Sequence, residues 1–358
     1  MLILAIDPGS TSTKIGVLNE QELVHSGVDH DREIIGSFRE VHEQEQMRFE
    51  SITSMLEEMG FAGETFDAVV GRGGLIKPVG GGVYAVCDTL LSDLKNGTSG
   101  SHASNLGGVL ARRLAAESGC PAFIVDPVVV DEMCDEARLS GLAGIERKSI
   151  FHALNQKAVA RRVAVEMGRS YFDVNLIVAH MGGGITVGAH EKGKVVDVNN
   201  GLNGDGPYAP ERSGGLPVDG IIEAIERGDY TLESLGRAVS RAGGIFSYLG
   251  IVDLREVERR IAEGDSVADL VWRGMVYQVV KAIGGLAASL EGEVDAIVLT
   301  GGMAHSKRLT EAISCKVGFL AETKVVPGEF ELEALTAGAL RVLSGEEEAL
   351  NYAEKQRG

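Results

Sequence analysis

One unit occurs twice in this chain, and that repeat limits what the chain can fold into more than any other feature. Residues 2–26 read as three short strands: Leu2 to Ile6, an apolar run of the kind found in buried strands, then Thr13 to Leu18, then Glu22 to Ser26. The tight loop Asp7-Pro8-Gly9-Ser10 joins the first two, and a turn at Asn19-Glu20 joins the second and third. Residues 174–198 repeat this layout. Val174 to Ala179 is an apolar run, His180-Met181-Gly182-Gly183-Gly184 a tight loop, Ile185 to Ala189 a second strand, Glu191-Lys192-Gly193 a turn, and Lys194 to Val198 a third strand. The offset is 173 residues, or 172 after one gap, and it sets Asp7 opposite His180, Gly9 opposite Gly182 and Gly16 opposite Gly188. One such unit per half is an internal duplication and predicts two similar domains.

The length agrees, since 358 residues exceed what a single core usually covers. Between the strands, apolar residues at helical spacing predict helices over 43–59, 104–117, 152–167, 217–227, 231–241, 253–263, 266–290, 306–314 and 331–343. Further short strands are expected at 68–70, 122–125 and 296–300. Strands alternating with helices give an α/β architecture. The domain boundary is expected after Gly141-Leu142-Ala143-Gly144. The first domain would hold residues 1–146 with about 340–358 folded back onto it, and the second 147–339.

Composition removes several function classes. The net charge of −18 and the absence of a basic stripe argue against nucleic-acid binding. No run of eighteen uncharged apolar residues occurs, so no membrane span is expected. The N-terminus meets a charge at Asp7 and has no basic leader region, so it reads as a strand and not a signal peptide, which suggests a cytoplasmic protein. Cys87, Cys120, Cys134 and Cys315 have neither paired nor zinc-like spacing and are expected to be small buried apolar residues in a reducing compartment.

Three segments suit phosphate chemistry. Asp7-Pro8-Gly9-Ser10-Thr11-Ser12-Thr13-Lys14 combines a glycine turn with hydroxyl and ammonium donors, and it joins strand to strand, so it is no Walker A loop. His180-Met181-Gly182-Gly183-Gly184 offers close backbone approach to an anion, with a histidine at its mouth. Thr300-Gly301-Gly302-Met303-Ala304 ends a strand before a helix and could seat a nucleoside or its α-phosphate. Each of these could also be a plain turn. Arg72, Asp126 and Arg212 stand beside glycines or at strand ends, where solvated loop charges are also common; His152 alone reads as a core histidine, and His102 is ambiguous.

Taken in order, these segments resemble the acetate kinase family, part of the superfamily that joins sugar kinases, actin and heat-shock chaperones. The resemblance spans residues 2 to about 345 and implies two actin-like, ribonuclease H-like domains, each a mixed sheet flanked by helices, with a nucleotide cleft between them. The segments Gly97 to Asn105 and His180 to Gly188 look more like the butyrate kinases than the acetate kinases of that family. By resemblance, Asp7, Gly9, Ser10, Ser12 and Lys14 form a first phosphate loop, Gly182, Gly183 and Gly184 a second, and Gly301 and Gly302 the adenosine loop. Arg72 and Arg212 flank the acyl carboxylate and the moving phosphoryl group, Asp126 lies near metal and substrate, His152 at the acyl site and His180 at the γ-phosphate.

The implied cofactors are ATP/ADP and Mg²⁺, the implied partners a short-chain carboxylate and its acyl phosphate, and a homo-oligomer is expected. Acetate kinases place a Glu-Asn-Ser stretch after the last glycine loop; here it is Ala304-His305-Ser306, which leaves Asp7 or Asp126, acting through water, as the metal's protein contact. A carboxylate is already ionised at neutral pH and needs no base to attack. Transfer then depends on bringing two anions together and stabilising the charge of a loose phosphoryl transition state. Another carboxylate kinase (for acetate, propionate or a branched-chain acid), a sugar- or polyphosphate-type phosphotransferase and an actin-like ATPase switch without a metabolic acceptor are the competing readings.

Overall fold

The computed structural model describes residues 1–355; the end of the expected tail 340–358, residues 356–358, lies outside the described residues. Leu2–Pro8 (β1), Ser12–Asn19 (β2) and Glu22–Asp29 (β3) form an antiparallel meander. β1 extends beyond its apolar run because Asp7 pairs with Lys14 and Pro8 with Thr13 across the ladder. The turn is therefore shorter than expected, closed by the Gly9 N–H donating to Ser12 O at 2.8 Å.

Ala68–Arg72 (β4), Val83–Ala85 (β5) and Ala122–Val125 (β6) complete the first sheet, with Leu350–Asn351 at its far edge beside β5. The strand order is β5-β6-β4-β1-β2-β3, with β4 parallel to both β1 and β6. β1 is buried along nearly its whole length because helices cover both faces. Leu4, Ile6 and Val69 face the helices Glu45–Glu58 and Asn105–Ser118, and the helix Glu331–Leu343 packs against β1, β4 and β6.

The second sheet repeats this plan. After a hairpin of Leu139–Leu142 (β7) and Ile145–Glu146 (β8) come Asn175–Met181 (β9), Ile185–Glu191 (β10), Lys194–Val198 (β11), Ala296–Gly301 (β12) and Thr323–Pro327 (β13). Their order, β11-β10-β9-β12-β13, is that of β3-β2-β1-β4-β6, and β9, β12 and β13 are parallel as β1, β4 and β6 are. The duplication extends to single glycines. Gly16 in β2 leaves room for Leu332, where a Cβ would meet the leucine at 3.3 Å, and Gly188 in β10 leaves room for Gln156, where a Cβ would meet the amide oxygen at 2.6 Å. Each admits a side chain from the helix lying on its sheet.

The two compact units are Met1–Val130 with Phe330–Gly358, and Asp131–Glu329, so the boundaries differ from the expected 146/147 and 339/340. Residues 131–147 are tied to the second sheet: Glu132 is ion-paired to Lys157, Cys134 N–H donates to Val196 O, and Arg147 pairs with Asp197 at 2.8 Å. The helix Glu331–Leu343 lies wholly on the first sheet. The cysteines also depart from expectation: all four are free, Cys134 and Cys315 are exposed, and Cys87 and Cys120 are half-buried at the edge of the first core. Among the described residues, no helix is long and apolar enough to cross a membrane.

The tightest helix–sheet contact rests on two glycines. A Cβ on Gly71 would lie 2.0 Å from Gly107 O, and one on Gly107 would lie 2.2 Å from Arg72 O. Both obstacles are backbone, so neither can rotate away. Gly107→Ala should cost about 1–3 kcal/mol or more. Gly285→Ala, in the exposed interior of the helix Ser266–Ser289 with nothing within 4 Å, is the control. It should stabilise by about 0.5–1 kcal/mol. Urea melts of both variants test the contrast, and equal effects would contradict the packing described.

Candidate active site

Alternation along the strands of the second sheet decides which groups reach the site. Ile177, Ala179 and Met181 of β9 and Ile185, Val187 and Ala189 of β10 enter the apolar core under the helix Ser266–Ser289. The opposite parity carries His180, Thr186 and His190, all fully buried, toward the helix Ala153–Glu166. That helix meets them with Asn155 and Gln156. His180 Nδ1 lies 2.8 Å from Asn155 Oδ1, an atom that only accepts, so Nδ1 carries a proton. His152, immediately before the helix, stacks on His180 with ring centroids 3.8 Å apart and planes 11° from parallel. Its Nδ1 is 2.9 Å from Thr186 Oγ1. With rings 3.8 Å apart, two imidazolium charges would repel by about 4 kcal/mol at an effective dielectric of about 20, which disfavours positive charge on both rings at once.

His180 and Met181 belong to β9, through register with Thr186 and Ile185, so the turn expected at 180–184 is confined to Gly182–Gly184. Gly182 N–H donates to Gly184 O across it. Arg212 lies against this turn: a Cβ on Gly184 would sit 1.8 Å from its Nη1. Nη1 donates to Gly201 O at 2.6 Å, while Nε is buried with no hydrogen-bond partner. Burial lowers the Arg212 pKa, opposed by the Glu211 carboxylate. A guanidinium held this way, with donor capacity unspent, suits an incoming anion.

Gly182, Gly183, Glu211, Gly302, Met303 and Glu329 border a cavity of about 790 Å³. Gly301 has φ +87 and closes against Met181, whose carbonyl would be 2.4 Å from an added Cβ. The adenosine-loop candidates Gly301 and Gly302 and the triple-glycine turn thus meet at the ends of adjacent strands β12 and β9. Ala304 and His305 form a 3-10 turn, and Ser306 caps the next helix while donating to Glu258 at 2.6 Å.

The first unit gathers its candidates at the ends of its parallel strands. Arg72 donates to Asp7 at 2.9 Å, joining β4 to β1. Asp126 follows β6 with φ +37; it is buried, and its carboxylate accepts the Gly82 N–H at 2.8 Å. Lys14 is exposed in register with Asp7, and Ser10 Oγ is 3.4 Å from His102 Nε2. Beneath this turn lies Arg48, fully buried, donating to Ser12 O, Thr13 Oγ1 and Gln44 Oε1, all of them neutral acceptors. Burial brings its pKa down to about 10, so it remains a cation under the β1–β2 turn.

The family model for the acetokinase family matches residues 139–323, more than half of the chain. The chain belongs to that family. The family's chemistry is ATP-dependent phosphorylation of a carboxylate, so this chain is a carboxylate kinase. The fold is similar to that of the acetate kinase of Porphyromonas gingivalis, with 20% identity, TM-score 0.77 and coverage of 96% of this chain and 99% of that one. It is also similar to a propionate kinase of Francisella tularensis, with 18% identity, TM-score 0.72 and coverage of 93% and 98%. The acetate kinase of Entamoeba histolytica shares 17% identity at TM-score 0.74, over 95% and 99% of the two chains. These likenesses support two duplicated actin-like domains of mixed α/β structure.

Asn155, Gln156, Thr186, Arg48, Glu211 and Glu329 were not singled out from the sequence. For two of them a signal existed: Asn155-Gln156 is a polar pair in the first turn of a predicted helix, directly after the apolar Ala153-Leu154. The same network generates a pH test. His190 is fully buried, and desolvation, then the nearby Lys157 ammonium, push its pKa down to about 3. An unfolded histidine titrates near 6.5. Between about 6.5 and about 3 only the unfolded chain binds this proton, so stability present above 6.5 is lost on acidification, at about 1.4 kcal/mol per pH unit. Urea unfolding between about pH 5 and 6 should show this slope in the wild type and a shallower one in His190→Gln. An unchanged slope would assign it to other groups.

Proposed function

We propose that this carboxylate kinase transfers the γ-phosphoryl group of ATP directly and reversibly to a short-chain carboxylate, with butyrate or isobutyrate preferred to acetate. The observation that carries the transfer chemistry is the cluster of anion-seeking groups on one strand end: stacked His152 and His180, the Gly182–Gly184 turn, and Arg212 with an uncommitted buried N–H. Preference for butyrate rests on the butyrate-kinase-like residues 97–105 and 180–188.

In this reading Arg212 and the glycine N–H groups bind phosphoryl oxygens, and no group acts as nucleophile, because the carboxylate attacks by itself. His180 spends its Nδ1 proton on Asn155, so donation from Nε2 to a phosphoryl oxygen requires a second proton, which the arriving negative charge favours. Arg72 would bind the acyl carboxylate once it exchanges its Asp7 contact. Gly301 and Gly302 would seat the adenosine. Mg²⁺ normally binds through one or two carboxylates, substrate phosphates and water. That fits a chain in which no three His, Cys, Asp or Glu side chains converge among the described residues. Asp126 and Asp7 are the carboxylates that would hold it, through water. Bound there, the ion would neutralise charge developing between the β- and γ-phosphates.

Hydroxamate trapping with ATP across one- to six-carbon acids should give its highest kcat/KM on a four-carbon acid. Discrimination is about 1–3 kcal/mol per methylene, so neighbouring acids remain substrates. A kcat/KM on acetate equal to or above that on butyrate would overturn the preference. His180→Ala should lower kcat roughly a hundred- to a thousand-fold and leave ATP affinity within several-fold. His180→Asn should recover part of the loss, whereas a kcat near wild type in folded His180→Ala would remove His180 from the reaction.

A further inference from the structure

A continuous chain of hydrogen bonds runs from the interior of the second unit to His152, and its donors and acceptors can be assigned in sequence. Gln156 Nε2 lies 3.0 Å from the Thr186 carbonyl oxygen and 2.8 Å from Thr186 Oγ1. A carbonyl oxygen only accepts, so the amide nitrogen must face it, and the amide orientation is settled. Gln156 Oε1 then faces His190 Nε2 at 3.0 Å, which must donate. His190 is neutral, so its Nδ1 accepts from the Tyr171 hydroxyl at 2.8 Å.

Thr186 completes the assignment. Its hydroxyl is fully buried and has two partners among the described residues, Gln156 Nε2 and His152 Nδ1. The amide nitrogen can only donate to it. The hydroxyl proton must therefore go to His152 Nδ1, because a buried donor left unmade is costly. Nδ1 of His152 accepts, so a neutral His152 carries its proton on Nε2.

We infer that Gln156 is a positioning residue. Through Thr186 it fixes His152 in the Nε2–H form, so that this ring is a hydrogen-bond donor while uncharged, with a proton arrangement opposite to that of its stacked partner His180. The inference rests on the carboxylate-kinase reading for its use: a neutral donor beside the acyl and phosphoryl oxygens needs no protonation step and does not compete with His180 for positive charge. The glycine at position 188 belongs to the same device, because any side chain there would meet Gln156 Oε1 at 2.6 Å.

The test is the proton distribution itself, read without substrate. In protein labelled with nitrogen-15 at histidine, long-range nitrogen–proton correlation spectra distinguish the two forms of each ring. The wild type should show His152 protonated at Nε2 and His180 at Nδ1. Gln156→Met, close in volume, and Thr186→Val should lose the single His152 form, and Thr186→Ser should keep it. In Gln156→Met, kcat for acyl phosphate formation should fall about ten- to a hundred-fold with KM for ATP little changed. A wild-type His152 protonated at Nδ1 would overturn the inference, as would a folded Gln156→Met that loses the form and keeps its kcat. Absence of wild-type activity on any carboxylate would instead overturn the functional reading and leave the ring assignment standing.

Discussion

The buried contact between His180 and Asn155 is the interaction on which the site depends. A histidine on the inner face of a central strand loses its water, and that loss is tolerable only if the ring finds partners in the protein. Asn155 Oδ1 accepts from His180 Nδ1–H, His152 covers the ring face, and Thr186, Gln156, His190 and Tyr171 carry the hydrogen bonding onward. Without this lining, the face of the sheet under the helix Ala153–Glu166 would have to be apolar, as the opposite face is. The candidate site of the second unit is thus one edge of a buried polar network.

The first unit meets the same problem with charge. Its strand ends carry an acid on β1, a base on β4 and an acid after β6. The first two neutralise each other, and the third accepts a backbone N–H. Arg48 has no such partner and is satisfied by two carbonyl-type oxygens and a hydroxyl, which holds the β1–β2 turn down while leaving its charge uncompensated. Removing one partner of a buried charged contact costs more than the contact contributes net. A buried cation under a turn rich in hydroxyls is consistent with an anion arriving above it. Both units therefore place charge-accepting groups at the ends of parallel strands, where open α/β sheets bind ligands.

Strand runs and glycine turns were legible in the sequence because they are local. Buried strands read as unbroken apolar runs, and the duplication was visible as the same order of runs and turns. Pairing across strands is not local, and the errors follow from that. His180-Met181 reads as the mouth of a loop, yet register with Thr186 and Ile185 extends the strand over both. The helix over 45–58 shows its apolar face by spacing, but nothing in that spacing marks Arg48 as the charged residue turned inward. Asp7 and Arg72 are 65 residues apart and became a pair only once β1 and β4 were adjacent. The cysteines depart from expectation for a related reason: average burial of a residue type says little about a position such as Cys315, which is exposed on its helix. Residue roles taken from the resemblance fell into two clusters, one in each unit, and the supporting residues behind them emerged only from side-chain contacts.

The central claim is that the oxygen attacking phosphorus belongs to the carboxylate. Butyrate carrying oxygen-18 in its carboxylate tests this directly. The protein, MgATP and labelled butyrate would be combined with hydroxylamine, which attacks the acyl carbon of any acyl phosphate and releases phosphate with the bridging oxygen. Phosphorus NMR of that phosphate should show one oxygen-18 per molecule. Phosphate released without label would mean that water, not the carboxylate, receives the phosphoryl group, and would contradict the account.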